Sequence, residues 1–298
     1  VRPGGRDRDT IPLANHKNKE RAMSRFALCI LFLIPLDSFA QTETEGELSH
    51  RLYPPSKIAP SEKYPVLVVL HGAGGGGNRS LMRTSFQEEH PCFVLVPKTK
   101  GTWENPKTED PKLSEEDLRK YSTGSRKLVK KAIRRIQGDK PKELLRVIGL
   151  VEKYLKEKPI DSNRVYVLGH SMGGMGSWYA IWERPDLFAA AIPSSGVLPL
   201  WLDRKRFLAV PVWAFHGGND RSVPTEGTRD LFASMKELGG NMKYTELKGQ
   251  GHMSNRIAFA FKGDDPEKGF ITQYSSDSCD KTSDVWEWLF RQNLSDRR

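Results

Sequence analysis

The stretch that decides the fold is RVYVLGHSMGGMG, residues 164–176. Residues 164–168 are mostly β-branched or aliphatic, which predicts a strand buried on both faces of a sheet. The glycine-rich segment after it opens a predicted helix over residues 173–182. Ser171 falls on the sharp turn between the two elements, where glycines at 169 and 173 avoid a collision between neighbouring strand and helix.

Strands and helices alternate outward from this stretch. Similar apolar runs predict strands at residues 66–70, 93–96, 189–192, 210–215 and, more weakly, 243–247. Helical periodicity covers residues 141–158, 225–238 and 284–294. The alternation predicts an α/β fold with a mostly parallel central sheet and helices on both faces, in a single domain over residues 41–298. A basic insertion at about 103–140 and a polar loop at 255–281 interrupt it.

Three residues in a particular order predict nucleophilic catalysis. A serine hydroxyl needs a base to take its proton, and the base needs a carboxylate to orient it. In a sheet of this kind the chain order is serine, acid, histidine. Asp220 follows the strand ending at Phe215, and His252 follows the strand ending at Leu247, so both lie where sites gather in parallel sheets. We expect Ser171 as nucleophile, Asp220 as acid and His252 as base.

Other residues compete for these roles. Asp203 also follows a strand and is the alternative acid. His216 precedes Asp220 and is expected to pack or to hydrogen-bond structurally. His170, directly before the serine, is expected at most to line a substrate pocket. The spacing of histidines and carboxylates predicts no metal site, and no cofactor is expected.

Attack on a carbonyl puts negative charge on its oxygen, which main-chain amides stabilise by about 3–4 kcal/mol each. The N–H of Met172 is one expected donor. The second is expected from the loop HGAGGGG at residues 71–77, with Ala73 preferred and Gly74 next; Gly74 is also expected to contact substrate. The loop also matches a dinucleotide-binding pattern. A dinucleotide site needs an acidic residue at the end of the following strand to bind the ribose, but this strand ends in Pro-Lys at residues 97–98.

Together these segments resemble a known family. The similarity is to the bacterial predicted-peptidase and phospholipase/carboxylesterase-like group of α/β-hydrolases, which is related to feruloyl esterases and polyhydroxybutyrate depolymerases. The segments that carry it are residues 66–77, 161–178, 185–193, 210–224 and 249–252. The resemblance implies an α/β-hydrolase fold and cleavage of a small-molecule or polymeric carboxylic ester by Ser171, Asp220 and His252. A serine peptidase of the same fold and a non-catalytic exported binding protein are the alternatives.

The N-terminal part has the pattern of a secretory signal peptide. Residues 23–40 have a short basic start at Arg25, an apolar stretch from Phe26 to Leu36 and small residues at Ser38 and Ala40. The stretch is too short to span a bilayer core about 30 Å thick, so no transmembrane anchor is expected. We expect cleavage after Ala40, a secreted or periplasmic protein, and a non-native upstream extension at residues 1–22.

Positive charge is concentrated in one segment. The chain has 47 Lys and Arg against 37 Asp and Glu, and residues 119–146 alone hold eleven basic and two acidic side chains. We expect a solvated face, with a lid or a surface for anionic polymers or membranes as the alternative. Nucleic acid is not an expected partner of an exported protein. Cys92 and Cys279 would remain after cleavage; the sequence leaves open whether they form a disulfide, and it leaves open the oligomeric state.

Overall fold

The continuous apolar runs of the sequence become the central strands of one sheet. The computed structural model describes residues 41–45, 48–75, 79–103, 116, 119, 122–124, 126, 143–199 and 201–297. These residues belong to the compact unit Pro35–Arg298. The predicted signal peptide, the upstream extension and most of the basic insertion lie outside the described residues.

The strands are β1 Gln41–Glu45, β2 Leu48–Tyr53, β3 Tyr64–Leu70, β4 Phe93–Lys98, β5 Ile160–His170, β6 Ala190–Ser194, β7 Val212–Gly217, β8 Met242–Leu247 and β9 Phe270–Tyr274. They form one sheet in the order β1-β2-β4-β3-β5-β6-β7-β8-β9. The strands from β4 across to β8 pair in parallel. Antiparallel pairing adds β2 and β1 at one edge and β9 at the other.

Helices connect the strands and cover both faces of the sheet. The α-helices are α1 Thr84–Glu89, α2 Glu143–Glu157, α3 Met172–Glu183, α4 Glu226–Glu237, α5 Asn255–Ala258 and α6 Val285–Arg291. Short 3-10 helices occupy Arg79–Met82, Arg204–Phe207 and Leu294–Arg297. The prediction of a mostly parallel sheet between helices is confirmed.

Strand β3 shows why the central strands read as unbroken apolar runs. All seven of its residues are buried. Side chains alternate between the two faces of a strand, so Val66 and Val68 pack with α2 and α3 in one core, whereas Leu67 and Val69 pack with α6 in the other. A strand covered on both faces has no position at which a polar side chain meets water.

The prediction of a polar loop at 255–281 is wrong, because that segment contains α5 and the edge strand β9. Burial along β9 alternates: Phe270 and Thr272 point inward, whereas Ile271 and Gln273 are exposed. An edge strand with one solvated face needs only every second residue to be apolar. Strand β2 was not predicted for the same reason, since its burial also alternates.

The two cysteines left open by the sequence are free and buried. Cys92 directly precedes β4, and burial raises the pKa of its thiol to about 12. Cys279 lies beyond β9 and donates to the carbonyl oxygen of Met242 at 3.5 Å. The fold therefore depends on packing rather than on a disulfide between them.

The strand order changes direction at β3, since β4 lies on one side of it and β5 on the other. In open α/β sheets the crevice at such a reversal, beyond the carboxyl ends of the strands, is where ligands bind. His71 follows β3 and Ser171 follows β5, so the topology places both sequence motifs at this crevice.

Candidate active site

Ser171 lies in a strained turn between β5 and α3, with φ 57° and ψ −117°. Non-glycine residues seldom adopt this backbone conformation, which costs about 1–3 kcal/mol. Two main-chain hydrogen bonds hold the turn: Ser171 N–H donates to the Ser194 oxygen at 2.9 Å, and Met175 N–H donates to the Ser171 oxygen at 2.9 Å. The turn is thus braced against β6 on one side and α3 on the other.

The glycines on either side of the serine allow this turn to pack against β3. A Cβ atom on Gly173 would lie 1.9 Å from the carbonyl oxygen of Leu70, and one on Gly169 would lie 2.4 Å from the main chain of Gly173. Both distances are far inside van der Waals contact, so any side chain at either position would displace the main chain.

The loops that carry Asp220 and His252 approach each other closely. Asp220 follows β7 and His252 follows β8, which are parallel neighbours. A Cβ atom on Gly217 would lie 2.2 Å from the carbonyl oxygen of Gly251, so glycine at the end of β7 makes room for the histidine loop. Asn219 N–H also donates to the Gln250 oxygen at 2.9 Å and ties the two loops together.

The structure brings Ser171, His252 and Asp220 into one hydrogen-bonded chain. His252 Nδ1 lies 2.7 Å from Asp220 Oδ2, and His252 Nε2 lies 2.8 Å from Ser171 Oγ. An ionised carboxylate only accepts hydrogen bonds, so Nδ1 carries the proton and Nε2 offers its lone pair to the serine hydroxyl. This is the arrangement in which an imidazole can remove the proton of Ser171.

The carboxylate of Asp220 is buried and held in its charged form. Its other oxygen, Oδ1, accepts the N–H groups of Ser222 at 2.8 Å and Val223 at 2.9 Å. Burial by itself would raise the pKa of Asp220, but the hydrogen bonds from His216, His252 and these two amides outweigh it. The pKa of the carboxyl group consequently lies well below its ordinary value.

His216 contacts this carboxylate as well, which the sequence did not indicate. Its Nε2 lies 3.2 Å from Asp220 Oδ2, and its side chain is fully buried. The sequence predicted a structural hydrogen bond for His216 but not its partner. His216 and Asp220 are four residues apart across a turn, and that spacing does not determine whether their side chains meet. Asp203 is placed elsewhere: it is exposed and accepts the N–H of Lys205 at 2.9 Å, where it caps the helix Arg204–Phe207.

Hydrogen bonds from buried side chains hold the loop after β3 in place. His71 Nε2 accepts the N–H of Thr99 at 3.1 Å, so Nδ1 bears the proton and donates to the Gly72 oxygen at 2.7 Å. Trp103 is fully buried and donates through Nε1 to the His71 oxygen at 2.8 Å. Gly75, with φ 70°, donates to the Gly72 oxygen at 3.0 Å and closes a turn whose two central residues are Ala73 and Gly74.

These elements enclose a cleft of about 490 Å³. Ala73, Gly74, His170, Ser171 and His252 all line it, and the carboxyl end of β3 forms its floor. On the far side it is bounded by side chains that follow His252 in sequence, which are Met253, Asn255 and Phe259. Met253 is 54% exposed at the mouth of the cleft.

His170 contributes a neutral imidazole to the cleft wall. Its ring centroid lies 4.9 Å from that of His252. Burial and, to a smaller extent, the neighbouring His252 lower the pKa of His170 to about 4. A ring with this pKa carries no charge at neutral pH, so it adds no positive charge next to His252.

Within the described residues, no three His, Cys, Asp or Glu side chains are grouped so as to hold a metal ion. In the same part of the chain, no helix combines the length and the apolar character needed to cross a bilayer. The residues with polar side chains that line the cleft are His71, His170, Ser171, His252 and Asn255.

The sheet order, the strained serine turn and the site at the topological reversal define an α/β-hydrolase. More particularly, the chain belongs to the phospholipase/carboxylesterase family, whose sequence pattern matches residues 57–261.

Two relatives are similar to part of the chain. A bifunctional acetylxylan esterase/xylanase of Neocallimastix patriciarum is 29% identical over 187 residues, which cover 62% of this chain and 23% of the relative. An uncharacterized secreted protein of Arthroderma benhamiae is 24% identical over 229 residues, covering 64% of this chain and 22% of the relative. The chain thus spans less than a quarter of the length of these two relatives.

Among solved structures, a thermostable esterase is 31% identical, with a TM-score of 0.59. The alignment covers 87% of this chain and 64% of the esterase.

Proposed function

We propose that the protein is a serine esterase that cleaves carboxylic esters through an acyl-enzyme on Ser171. The observation that supports this most directly is the hydrogen-bonded chain from Ser171 through His252 to Asp220. Its donors and acceptors are arranged so that the serine proton has a base to go to and the resulting imidazolium has a buried carboxylate beside it.

In the acylation step, Ser171 Oγ attacks the ester carbonyl carbon while its proton passes to His252 Nε2. The ionised Asp220 stabilises the imidazolium that forms. When the tetrahedral intermediate collapses, the carbon–oxygen bond to the alcohol breaks, and the proton on Nε2 goes to the departing oxygen. The alcohol leaves, and the acyl group remains esterified to Ser171.

In the deacylation step, a water molecule takes the place of the alcohol. His252 removes its proton as the water oxygen attacks the acyl carbon, and the same proton then returns to Ser171 Oγ as the acid departs. One base thus serves both steps, because each begins with an oxygen nucleophile that must lose a proton.

Two main-chain N–H groups are proposed to bind the carbonyl oxygen as it becomes negative. Met172 is the first residue of α3, where the N–H groups have no acceptor within the helix. Ala73 is at the centre of the turn that His71 and Trp103 brace, with Gly74 as the alternative donor. Donors held rigidly in this way stabilise the transition state by about 3–4 kcal/mol each, because they need no reorganisation during the reaction.

His170 and Gly74 are proposed to contact the substrate on either side of the serine, since both line the cleft. The neutral ring of His170 and the bare main chain of Gly74 favour an uncharged ester group over a charged one at this point, because neither supplies a counter-charge.

The substitution Ser171→Ala tests the function. It removes the nucleophile, so hydrolysis of p-nitrophenyl esters and labelling by a fluorophosphonate probe should both disappear. Ser278→Ala, which alters an exposed serine far along the chain, is the matched control and should retain both. Activity persisting in Ser171→Ala would overturn the proposal, and faster cleavage of matched aryl amides than of aryl esters would favour a peptidase.

We infer that the protein is exported, with residues 23–40 as a signal peptide cut after Ala40. The resemblance to a secreted protein supports this. Cleavage there would leave β1 whole, because that strand begins at Gln41. N-terminal sequencing of protein collected from the culture medium or periplasm should begin at Gln41; retention of residues before it would contradict the inference.

A further inference from the structure

The carboxylate of Asp220 has two imidazoles on one oxygen. Oδ2 lies 2.7 Å from Nδ1 of His252 and 3.2 Å from Nε2 of His216. The reaction outlined above uses His252 and leaves His216 without a part. His216 lies at the end of β7, only four residues before the acid, and no part of its side chain reaches solvent.

The surroundings of His216 decide which of its nitrogens carries the proton. Nε2 faces the carbonyl oxygen of Val223 at 3.0 Å in addition to Asp220 Oδ2, and both atoms only accept hydrogen bonds. Nε2 is therefore protonated and donates to them. Nδ1 lies 2.7 Å from Thr228 Oγ1, whose hydroxyl can donate to its free lone pair, so the ring is satisfied in the neutral form.

We propose that His216 is a positioning residue: its Nε2–H holds Asp220 Oδ2 in place against His252 and weakens the attraction of the carboxylate for the imidazolium. The proposal rests on the proposed serine esterase function. With Ser222 and Val223 on Oδ1, this bond completes a set of four donors around the carboxylate, about as many as its lone pairs accept.

The consequence for the reaction follows from sharing one oxygen. A hydrogen bond donated to Oδ2 weakens the electrostatic attraction between the carboxylate and the imidazolium form of His252. Without it, the imidazolium form of His252 is stabilised, so a higher pH is needed before the neutral base is available. The rate would then begin to rise at a higher pH, although the reacting atoms themselves are unchanged.

Other titratable groups face this network and stay in place in the variants below. His170 lies beside His252, with ring centroids 4.9 Å apart. Glu246 on β8 is the register partner of His216 and is paired with Arg229 of α4 at 2.5 Å. A change caused by removing the His216 donor is therefore measured against an unaltered electrostatic background.

The test compares His216→Leu with Thr228→Val and His216→Gln in the full-length protein. For His216→Leu, the acidic limb of the kcat/KM profile for an aryl ester should move up by about 0.5–1 pH unit. That shift is a loss of about three- to tenfold at a fixed pH on the limb. Thr228→Val keeps the Nε2 donor and should lower only Tm, and the amide of His216→Gln should restore the wild-type limb. An unmoved limb in His216→Leu, with Tm lowered as in Thr228→Val, would show a purely structural role.

A second measurement uses the wild-type protein and therefore does not depend on whether a variant folds. In ¹⁵N NMR spectra of the imidazoles, Nε2 of His216 should have the shift of a protonated nitrogen, and Nδ1 that of an unprotonated one. The opposite tautomer would overturn the proposal. A wild-type protein that neither labels nor hydrolyses esters would instead overturn the proposed function, so the two failures are distinguishable.

Discussion

Two buried ionisable groups, one just beyond β7 and one on the neighbouring strand β8, have pKa shifts that favour opposite charge states. Asp220, after β7, receives four hydrogen bonds, and the pKa of its carboxyl group is lowered, which favours the charged form. Lys243, on β8, is 1% exposed, and burial lowers the pKa of its ammonium group to about 8, which favours the neutral form. The same sheet therefore stabilises one charge and penalises the other.

The difference comes from the partners available to each group. Lys243 Nζ lies 3.4 Å from the ring centroid of Trp213 and donates to the Thr282 oxygen at 2.5 Å. The rings of Tyr274 and Trp288 lie farther from Nζ, at 5.7 and 5.5 Å. Ring faces and one carbonyl replace only part of the water that an ammonium group loses. Asp220 has donors at both oxygens and lies where charge is needed for the proposed reaction. Burial alone therefore does not identify a functional charge; a full set of partners at the cleft does.

The largest effect is expected from Asp220→Asn. Oδ1 must remain an oxygen, because it accepts the amides of Ser222 and Val223, so the new NH₂ group would face His252. His252 would then present its lone pair to the NH₂ group and hold its proton on Nε2, which prevents it from accepting the proton of Ser171. We expect kcat to fall by about 10⁴-fold, measured by ester hydrolysis at neutral pH.

Asp203→Asn is the matched control for that substitution. The sequence offers Asp203 as the alternative catalytic acid, but in the structure it caps the short helix Arg204–Phe207. It should leave kcat unchanged. A large loss of activity in Asp203→Asn, or full activity in Asp220→Asn, would reverse the assignment of the acid.

A smaller effect, on stability alone, is expected from Lys243→Met. The pKa of Lys243 is lower in the folded protein, at about 8, than the ordinary value of 10.5. The unfolded chain therefore binds more protons between these values, and the free energy of unfolding of the wild type rises with pH across that window. Below pH 8 the buried charge is present and costly, so the variant should be more stable by about 1 kcal/mol.

Urea denaturation at pH 7, 8, 9 and 10 checks this, with exposed Lys57→Met as the control. The advantage of Lys243→Met should shrink as the pH rises, while Lys57→Met should follow the wild type throughout. If Lys243→Met were less stable at pH 7 by an amount independent of pH, the ring of Trp213 and the Thr282 carbonyl would have to compensate the charge in full.

The sequence predicts the middle of the fold better than its edges, for a physical reason. Strands such as β3, covered on both faces, have to be apolar at every position, so the pattern is visible. Strands β2 and β9 need an apolar residue at every second position only, and in β9 a threonine fills one of the buried positions. Their pairing depends on neighbours distant in sequence, which a local pattern does not contain.

The candidate site, too, is predictable where a local sequence pattern marks its residues and unpredictable where it depends on a three-dimensional contact. Ser171, Asp220 and His252 are predictable because each follows a recognisable strand, and parallel strands bring their carboxyl ends together. The second imidazole on Asp220 is not predictable, because a histidine at the end of β7 could equally have pointed away from the turn. The contact between His216 and Asp220 is visible only in the three-dimensional structure.

The most direct test of the central claim is to react the protein with a fluorophosphonate probe and map the modified residue by mass spectrometry. The hydrogen bond from Ser171 Oγ to His252 Nε2 predicts one phosphonylated residue, Ser171, and a loss of esterase activity in proportion to labelling. Labelling at another serine, or complete modification of Ser171 with activity retained, would contradict the claim that this chain is a serine esterase acting through Ser171.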